Sequence, residues 1–119
     1  MHSIAFVFTK SPHGSSAGRE GLDAVLATLT LRNNVGLFFL SDGALQLIRD
    51  QSSDVILTRN YSLTFSVLPL YDARQFYVCS ESLLERGIPY DHKFILPVKV
   101  LSSEELRVIL HKYDRVMTF

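Results

Sequence analysis

The chain has 119 residues, 47% of them apolar and 20% charged, a composition typical of one folded domain, which excludes a disordered protein. Its 12 basic and 12 acidic residues are balanced between the halves, which argues against a basic nucleic-acid surface, and no apolar run approaches the ~20 residues of a membrane span. The length is that of a single domain, which we expect over residues 1–119. The one cysteine excludes an internal disulfide, so we expect the protein in the reducing cytoplasm.

The first half of the chain alternates strand with helix. Ser3–Phe8 is short, apolar and β-prone, as expected for a strand covered on both faces. Gly18–Leu31 carries leucine and valine at the spacing of one helix face. Val35–Leu40 is a second apolar strand, and a turn then leads into a short helix, Ala44–Ile48. Apolar strands separated by amphipathic helices predict an α/β fold, with a parallel sheet between two helix layers.

The segment Tyr61–Leu70 has the period of a helix but carries two apolar stripes that lie nearly opposite each other. A helix that is apolar on all sides is buried on all sides. One interpretation is a helix wedged into the core, and the other is a helix with one stripe on the sheet and one on another protein. The candidate partner interface therefore consists of the residues of both stripes, which are Tyr61, Phe65 and Leu68, and Leu63, Val67 and Leu70.

The second half continues the alternation. Phe76–Val78 predicts a third strand, followed by a helix, Ser80–Arg86, that ends at Gly87. Phe94–Val100 predicts a fourth strand, at an edge or interrupted, because it contains Pro97.

The final segment predicts one helix and one strand. Ser102 and Glu105 have the spacing of a capping box, so they mark the start of a helix. Arg115–Thr118 predicts a last short strand.

The loop after the first strand is one place where a ligand could bind, because ligands of parallel sheets gather at the carboxyl ends of strands. Ser15, Ser16 and Gly18 fit a phosphate- or flavin-binding loop in composition, yet the glycines match no phosphate motif. The two serines are more simply helix caps. His13 has no histidine or cysteine partner at metal spacing, so we expect neither a metal site nor a cofactor.

Cys79 is the residue with the greatest potential for chemistry. It lies where a strand ends and a helix begins, and a helix N-terminus favours the thiolate that carries or attacks a persulfide. Glu81 and Glu85 oppose a further negative charge nearby, and a lone cysteine is frequently a small buried apolar residue. The residues by themselves favour the inert interpretation and leave the reactive one open.

Motifs along nearly the whole chain resemble one known family. The most specific is Ala17–Ala24, and other matching segments are Ile4–Phe8, Pro12–Gly14, Phe38–Phe39, Asp42–Gly43, Gln46–Leu47, Leu70–Asp72, Val78–Cys79, Leu84–Gly87, Tyr113–Asp114 and Phe119. On these residues the chain resembles the DsrF-like branch of the DsrE/DsrF/DsrH family. The resemblance implies a single three-layer α/β domain, built on a mostly parallel five-stranded sheet with helices on both faces.

The resemblance also implies partners and a function. DsrF-like subunits of this kind assemble with TusB-like and TusD-like subunits into a heterohexamer, two copies of each. That complex passes persulfide sulfur through a TusE-like acceptor for 2-thiolation of the wobble uridine in tRNA. We therefore expect a structural subunit that is not itself an enzyme, contacts proteins, and binds neither nucleic acid nor membrane.

The position of Cys79 agrees only in part with the family pattern. In this family the sulfur-carrying cysteine belongs to the TusD-like subunit, and the spacing of Cys79 to Arg86 and Gly87 places it at about the same position. The residues that follow it, Ser80–Ser82, differ from the small apolar stretch usual there and add negative charge. We expect Cys79 not to be catalytic. The alternative is that Cys79 itself carries persulfide sulfur as a sulfurtransferase.

Overall fold

The computed structural model describes residues 3–11, 17–29, 34–48, 75–91 and 94–119. The expectations for Tyr61–Leu70 and for residues 12–16 lie outside this part of the chain. The strands are β1 (Ser3–Phe8), β2 (Asn34–Phe39), β3 (Gln75–Cys79), β4 (Lys99–Leu101) and β5 (Arg115–Thr118). The helices are α1 (Ala17–Leu29), a 3₁₀ helix (Ser41–Leu47), α2 (Ser80–Glu85) and α3 (Ser103–Leu110).

The five strands form one sheet in the order β4-β3-β2-β1-β5, and every neighbouring pair is parallel. The chain steps in one direction from β1 to β4 and then crosses back to β5 beside β1. Because crossovers between parallel strands are right-handed, α1 and α2 belong on one face and α3 on the other. The predicted fold class, a five-stranded parallel sheet with helices on both faces, is confirmed.

Side chains alternate between the two faces along each strand, as the pleat requires. We call the face covered by α1 and α2 the α1 face. It holds the larger apolar cluster, which includes Phe6 and Phe8. On the opposite α3 face, Ala5 and Val7 belong to a smaller one. The other buried members of the smaller cluster are Phe38, Cys79 and Leu106. Both faces of the inner strands are therefore covered, which explains why their sequences lack polar alternation.

The strand predicted at Phe94–Val100 is wrong over most of its length. The structure has only Lys99–Leu101 as β4, at the outer side of β3. Ile95 and Leu96 are buried in the α1-face cluster and are not part of the ladder. Pro97 has no N–H to donate to a neighbouring strand, so pairing begins only after it.

The other predicted elements of the described chain are present, and several differ by a few residues at their ends. The strands Ser3–Phe8 and Arg115–Thr118 have the predicted bounds. The helix predicted at Ala44–Ile48 is a 3₁₀ helix that begins earlier, at Ser41. Ser41 has a φ of 51°, so the chain turns sharply at this residue, immediately before the predicted turn at Asp42 and Gly43.

Two helix ends follow their predicted chemistry. In the capping box of α3, the Glu105 N–H donates to Ser102 Oγ at 3.2 Å, and the Ser102 N–H donates to Glu105 Oε1 at 3.0 Å. Gly87 follows α2 with a φ of 67°, the left-handed conformation that closes many helices.

Phe119 continues the pairing of β5 with β1. Its N–H donates to the Val7 carbonyl at 2.7 Å, and its carbonyl accepts from the Thr9 N–H at 2.7 Å. Its ring stacks on Phe6 and Phe8, with centroid distances of 6.2 and 6.0 Å. Phe119 is thereby fixed to β1, one of the three inner strands of the sheet.

Candidate functional site

At the carboxyl ends of β3 and β4, the chain leaves the sheet toward opposite faces. After β3 the chain enters α2, and Leu83 of α2 belongs to the α1-face cluster. After β4 it enters α3, and Leu106 of α3 belongs to the α3-face cluster. Adjacent parallel strands whose following segments leave to opposite faces have a crevice between them, which is where ligands of open α/β sheets bind. We therefore take this crevice as the candidate site.

Cys79 is the last residue of β3 and pairs with Leu101 of β4 at the base of the crevice. The residue is only 5% exposed and lies in the apolar cluster beneath α3, together with Phe38 and Leu106. It is the N-cap of α2, but its side chain makes no capping hydrogen bond. The thiol is therefore part of the core and is not presented to solvent at the edge of the sheet.

The Glu81 carboxylate spans the crevice from α2 to α3. The Ser103 N–H donates to Glu81 Oε2 at 3.1 Å and the Ser103 hydroxyl donates to the same oxygen at 2.5 Å. The Ser80 hydroxyl donates to the other oxygen, Oε1, at 2.7 Å. These bonds, the Ser103 hydroxyl first among them, lower the pKa of Glu81 from 4.5 to about 2. The first turns of the two helices thus share one ionised carboxylate.

A second polar cluster ties the 3₁₀ helix to α2. Arg86 Nη2 lies 2.8 Å from Asp42 Oδ1, and Arg86 Nη1 donates to the Ser82 carbonyl at 3.1 Å. The N–H of Ser41 donates to the buried Ser82 hydroxyl at 2.8 Å. These contacts fix the ends of β2 and β3 relative to each other, and every polar group named has a protein partner. The cluster is built for structure.

Sequence reasoning missed both clusters. Glu81 and Ser103 are 22 residues apart and Asp42 and Arg86 are 44 apart, so no local spacing marks either pair. One indirect signal was available, because the residues after two neighbouring parallel strands must meet at one edge. In the sequence alone, the glutamates after Cys79 indicate only charges that oppose a thiolate.

The structure places two further residues that the sequence singled out. Gly18 is buried in the first turn of α1. Glu85, the second glutamate near Cys79, is exposed and contacts Arg86 at 3.5 Å. The predicted loop residues Ser15, Ser16 and His13 and the six residues of the two apolar stripes lie outside the described part of the chain.

Within the described ranges, no three histidine, cysteine, aspartate or glutamate side chains come together as a metal site would require. A separate finding concerns membranes. None of the helices in the described ranges combines the length and the apolar character of a membrane span.

Comparisons with known proteins agree along the full length. The model of the DsrE/DsrF-like family matches residues 2–119. Two proteins named "Protein TusC", from the Tuc7 and APS strains of Buchnera aphidicola subsp. Acyrthosiphon pisum, are each 46% identical over 119 residues, covering 100% of both chains. The crystal structure of the ychN protein from E. coli has a TM-score of 0.83 at 23% identity, again covering 100% of both chains, and supports the fold alone.

Proposed function

The chain belongs to the DsrE/DsrF-like family, and from this premise we propose that it is a non-catalytic, TusC-like subunit of a cytoplasmic sulfur-relay complex, acting as one domain over residues 1–119. Full-length similarity to proteins named TusC supports the assignment to this branch. The family match also spans the motif Ala17–Ala24, the most specific of the matching segments.

In this proposal the chain assembles with TusB-like and TusD-like subunits, two copies of each, into a heterohexamer. The complex passes persulfide sulfur through a TusE-like acceptor toward 2-thiolation of the wobble uridine of tRNA. Zero net charge suits such a role, because a subunit that contacts only proteins needs no basic surface for phosphates.

The burial of Cys79 is the observation that carries the non-catalytic role. Sulfur moves when a thiolate attacks the outer sulfur of a persulfide, the S–S bond breaks, and the donor leaves as a thiolate. The attacking sulfur must therefore reach a second protein. Cys79 is 5% exposed beneath α3, so the resting fold does not present it to a donor. The chemistry belongs to the cysteine of a partner subunit.

The test is replacement of Cys79 in cells that carry no other copy of the gene. We expect Cys79→Ala to leave wobble 2-thiouridine, measured by mass spectrometry of digested tRNA, within about twofold of the wild-type level, because alanine fills a small buried apolar site with little loss. Cys79→Ser is the second variant, which retains the size of the side chain.

Thiolation that falls in both variants to the level of cells lacking the whole complex would contradict the proposal. It would support the alternative, in which Cys79 carries the persulfide. Cells lacking the whole complex supply the zero level, and immunoblots of this chain show whether each variant accumulates normally.

The proposed contact with a sister subunit is the pair of apolar stripes on Tyr61–Leu70. A specific interface buries about 1,000 Å² or more in total, so these stripes would form the apolar part of a larger contact surface. We expect Leu63→Asp or Val67→Asp to release the chain from a co-expressed complex, measured by native mass spectrometry. The matched control is Ser62→Asp, which adds the same charge at a position that belongs to neither stripe. Retention of both Leu63→Asp and Val67→Asp in the complex would contradict this interface.

A further inference from the structure

We infer that Glu81 is a latch that holds α3 closed over Cys79. The biological role of this latch rests on the proposed function. In a relay of related subunits, the latch would decide which thiol receives the sulfur. Glu81 is then a positioning residue, and it acts by keeping the thiol of this chain out of reach.

The register of the sheet places Glu81 and Ser103 at equivalent positions after β3 and β4, on the two sides of the crevice. The β3–β4 ladder ends with the pair Cys79 and Leu101. Two residues beyond each member of that pair stand Glu81 and Ser103, which are joined by hydrogen bonds of 2.5 and 3.1 Å. The contact thus closes the crevice directly above the cysteine.

The start of α3 covers the thiol. Leu106, in the first turns of α3, is 2% exposed and shares the apolar cluster with Cys79. Movement of this part of α3 away from β3 would expose Cys79 to a reagent. Any such movement must break the bonds between Glu81 and Ser103, because Ser103 is the first residue of α3.

The latch also satisfies backbone groups that would otherwise be unpaired. The first N–H groups of a helix have no partner within the helix. In α3, the N–H of Ser103 donates to Glu81, and the N–H of the preceding Ser102 donates to Glu105. Two carboxylates, one local and one from across the crevice, therefore hold the helix start. The pKa of about 2 keeps Glu81 ionised throughout the physiological range.

The experiment measures the rate at which iodoacetamide alkylates Cys79 in the native full-length chain. Cys79 is the one cysteine, so the intact mass of this chain reports its modification even if another protein copurifies. We expect Glu81→Ala to raise the alkylation rate about tenfold. The substitution removes hydrogen bonds to a charged group that exist only in the closed state, so the open state becomes more populated. Ser103→Ala keeps the N–H donor, so it should raise the rate by a smaller factor.

Two controls separate a latch from general loosening. Glu85→Ala removes a negative charge from the same helix, where the Glu85 carboxylate contacts its neighbour Arg86. Gly87→Ala destabilises the end of α2 and leaves the crevice untouched. We expect both controls to stay within about twofold of wild type. Ser103→Ala alone raises the alkylation rate over wild type by some factor. The double variant Glu81→Ala/Ser103→Ala should exceed Glu81→Ala by less than that factor, because both substitutions remove the same contact.

An unchanged rate in Glu81→Ala would overturn the latch, and so would an equal rise in either control. If Glu81→Ala does not fold, an unchanged rate in Ser103→Ala overturns it. These outcomes are distinct from failure of the proposed function, which is measured as tRNA thiolation in cells. A working latch in a chain that proves to have no role in thiolation would leave the structural inference intact and remove the proposed function.

Discussion

Two glycines that look alike in the sequence are required for different physical reasons. Gly43 lies in the 3₁₀ helix, where a Cβ atom would overlap the carbonyl oxygen of Phe8 at the end of β1. Gly87 follows α2 in the left-handed region with open space around it. The first position excludes any side chain by contact with fixed backbone, and the second disfavours one only through backbone conformation.

We expect Gly87→Ala to lower the free energy of unfolding by about 1 kcal/mol, the cost of a left-handed alanine. Gly43→Ala should cost about 3 kcal/mol or more, because the overlapping atom belongs to the backbone of β1, an inner strand paired on both sides, and cannot move aside. Urea unfolding of both variants checks the difference. Equal costs would show that the 3₁₀ helix can shift away from β1.

At the scale of the elements, α3 shows what could and could not be predicted from the sequence. Its start was predicted because Ser102 and Glu105 are three residues apart and cap each other locally. The bond from Glu81 to the same helix start joins two segments that only the sheet brings together, so no pattern in the sequence marks it. Local chemistry predicted strands and caps, whereas the candidate site depends on which strands are neighbours.

The two carboxylates at the start of α3 make the stability of this element depend on pH. Hydrogen bonds hold the pKa of Glu81 at about 2, and bonds to Ser102, the backbone N–H first, lower the pKa of Glu105. In the unfolded chain both groups titrate near their ordinary values. A depressed folded-state pKa adds stability that is fully present above the unfolded value and is lost as the pH falls toward the folded value.

We therefore expect wild type to be more stable than Glu81→Gln by a constant margin from about pH 8 to pH 5.5. The margin should narrow below an unfolded-state pKa near 4.5 and close as the pH approaches 2. Urea midpoints of wild type and Glu81→Gln across this range measure the margin. A margin that widens in acid would contradict the hydrogen-bonded, ionised Glu81.

For the whole molecule, the strand order predicts where the fold opens first. Among the described strands, β1, β2 and β3 are each paired on both sides, whereas β4 and β5 form the two outer positions. All four residues of β5 are exposed, and Val116 and Met117 are 50% and 43% exposed. Pairing and burial therefore both decrease from the centre of the sheet to its sides.

Hydrogen exchange followed by mass spectrometry should show this gradient. We expect backbone amides of β1 and β2 to exchange slowest, and those of β4 and β5 to exchange fastest among the strands. The N–H of Phe119 donates to Val7 of β1, so it extends the β5–β1 pairing by one residue. Protection of β5 equal to that of β2 in the isolated chain would contradict the exposed outer position.

The place of β1 between β2 and β5 has a consequence for the chain while it is being made on the ribosome. Residues 34–39 supply one neighbour early, but the other neighbour, residues 115–118, is synthesised about eighty residues later. Until then, β1 lacks β5 along the side where the two strands will pair. A nascent chain of this topology carries an open template for unwanted pairing during that interval, and it can close the template only when residues 115–118 leave the exit tunnel.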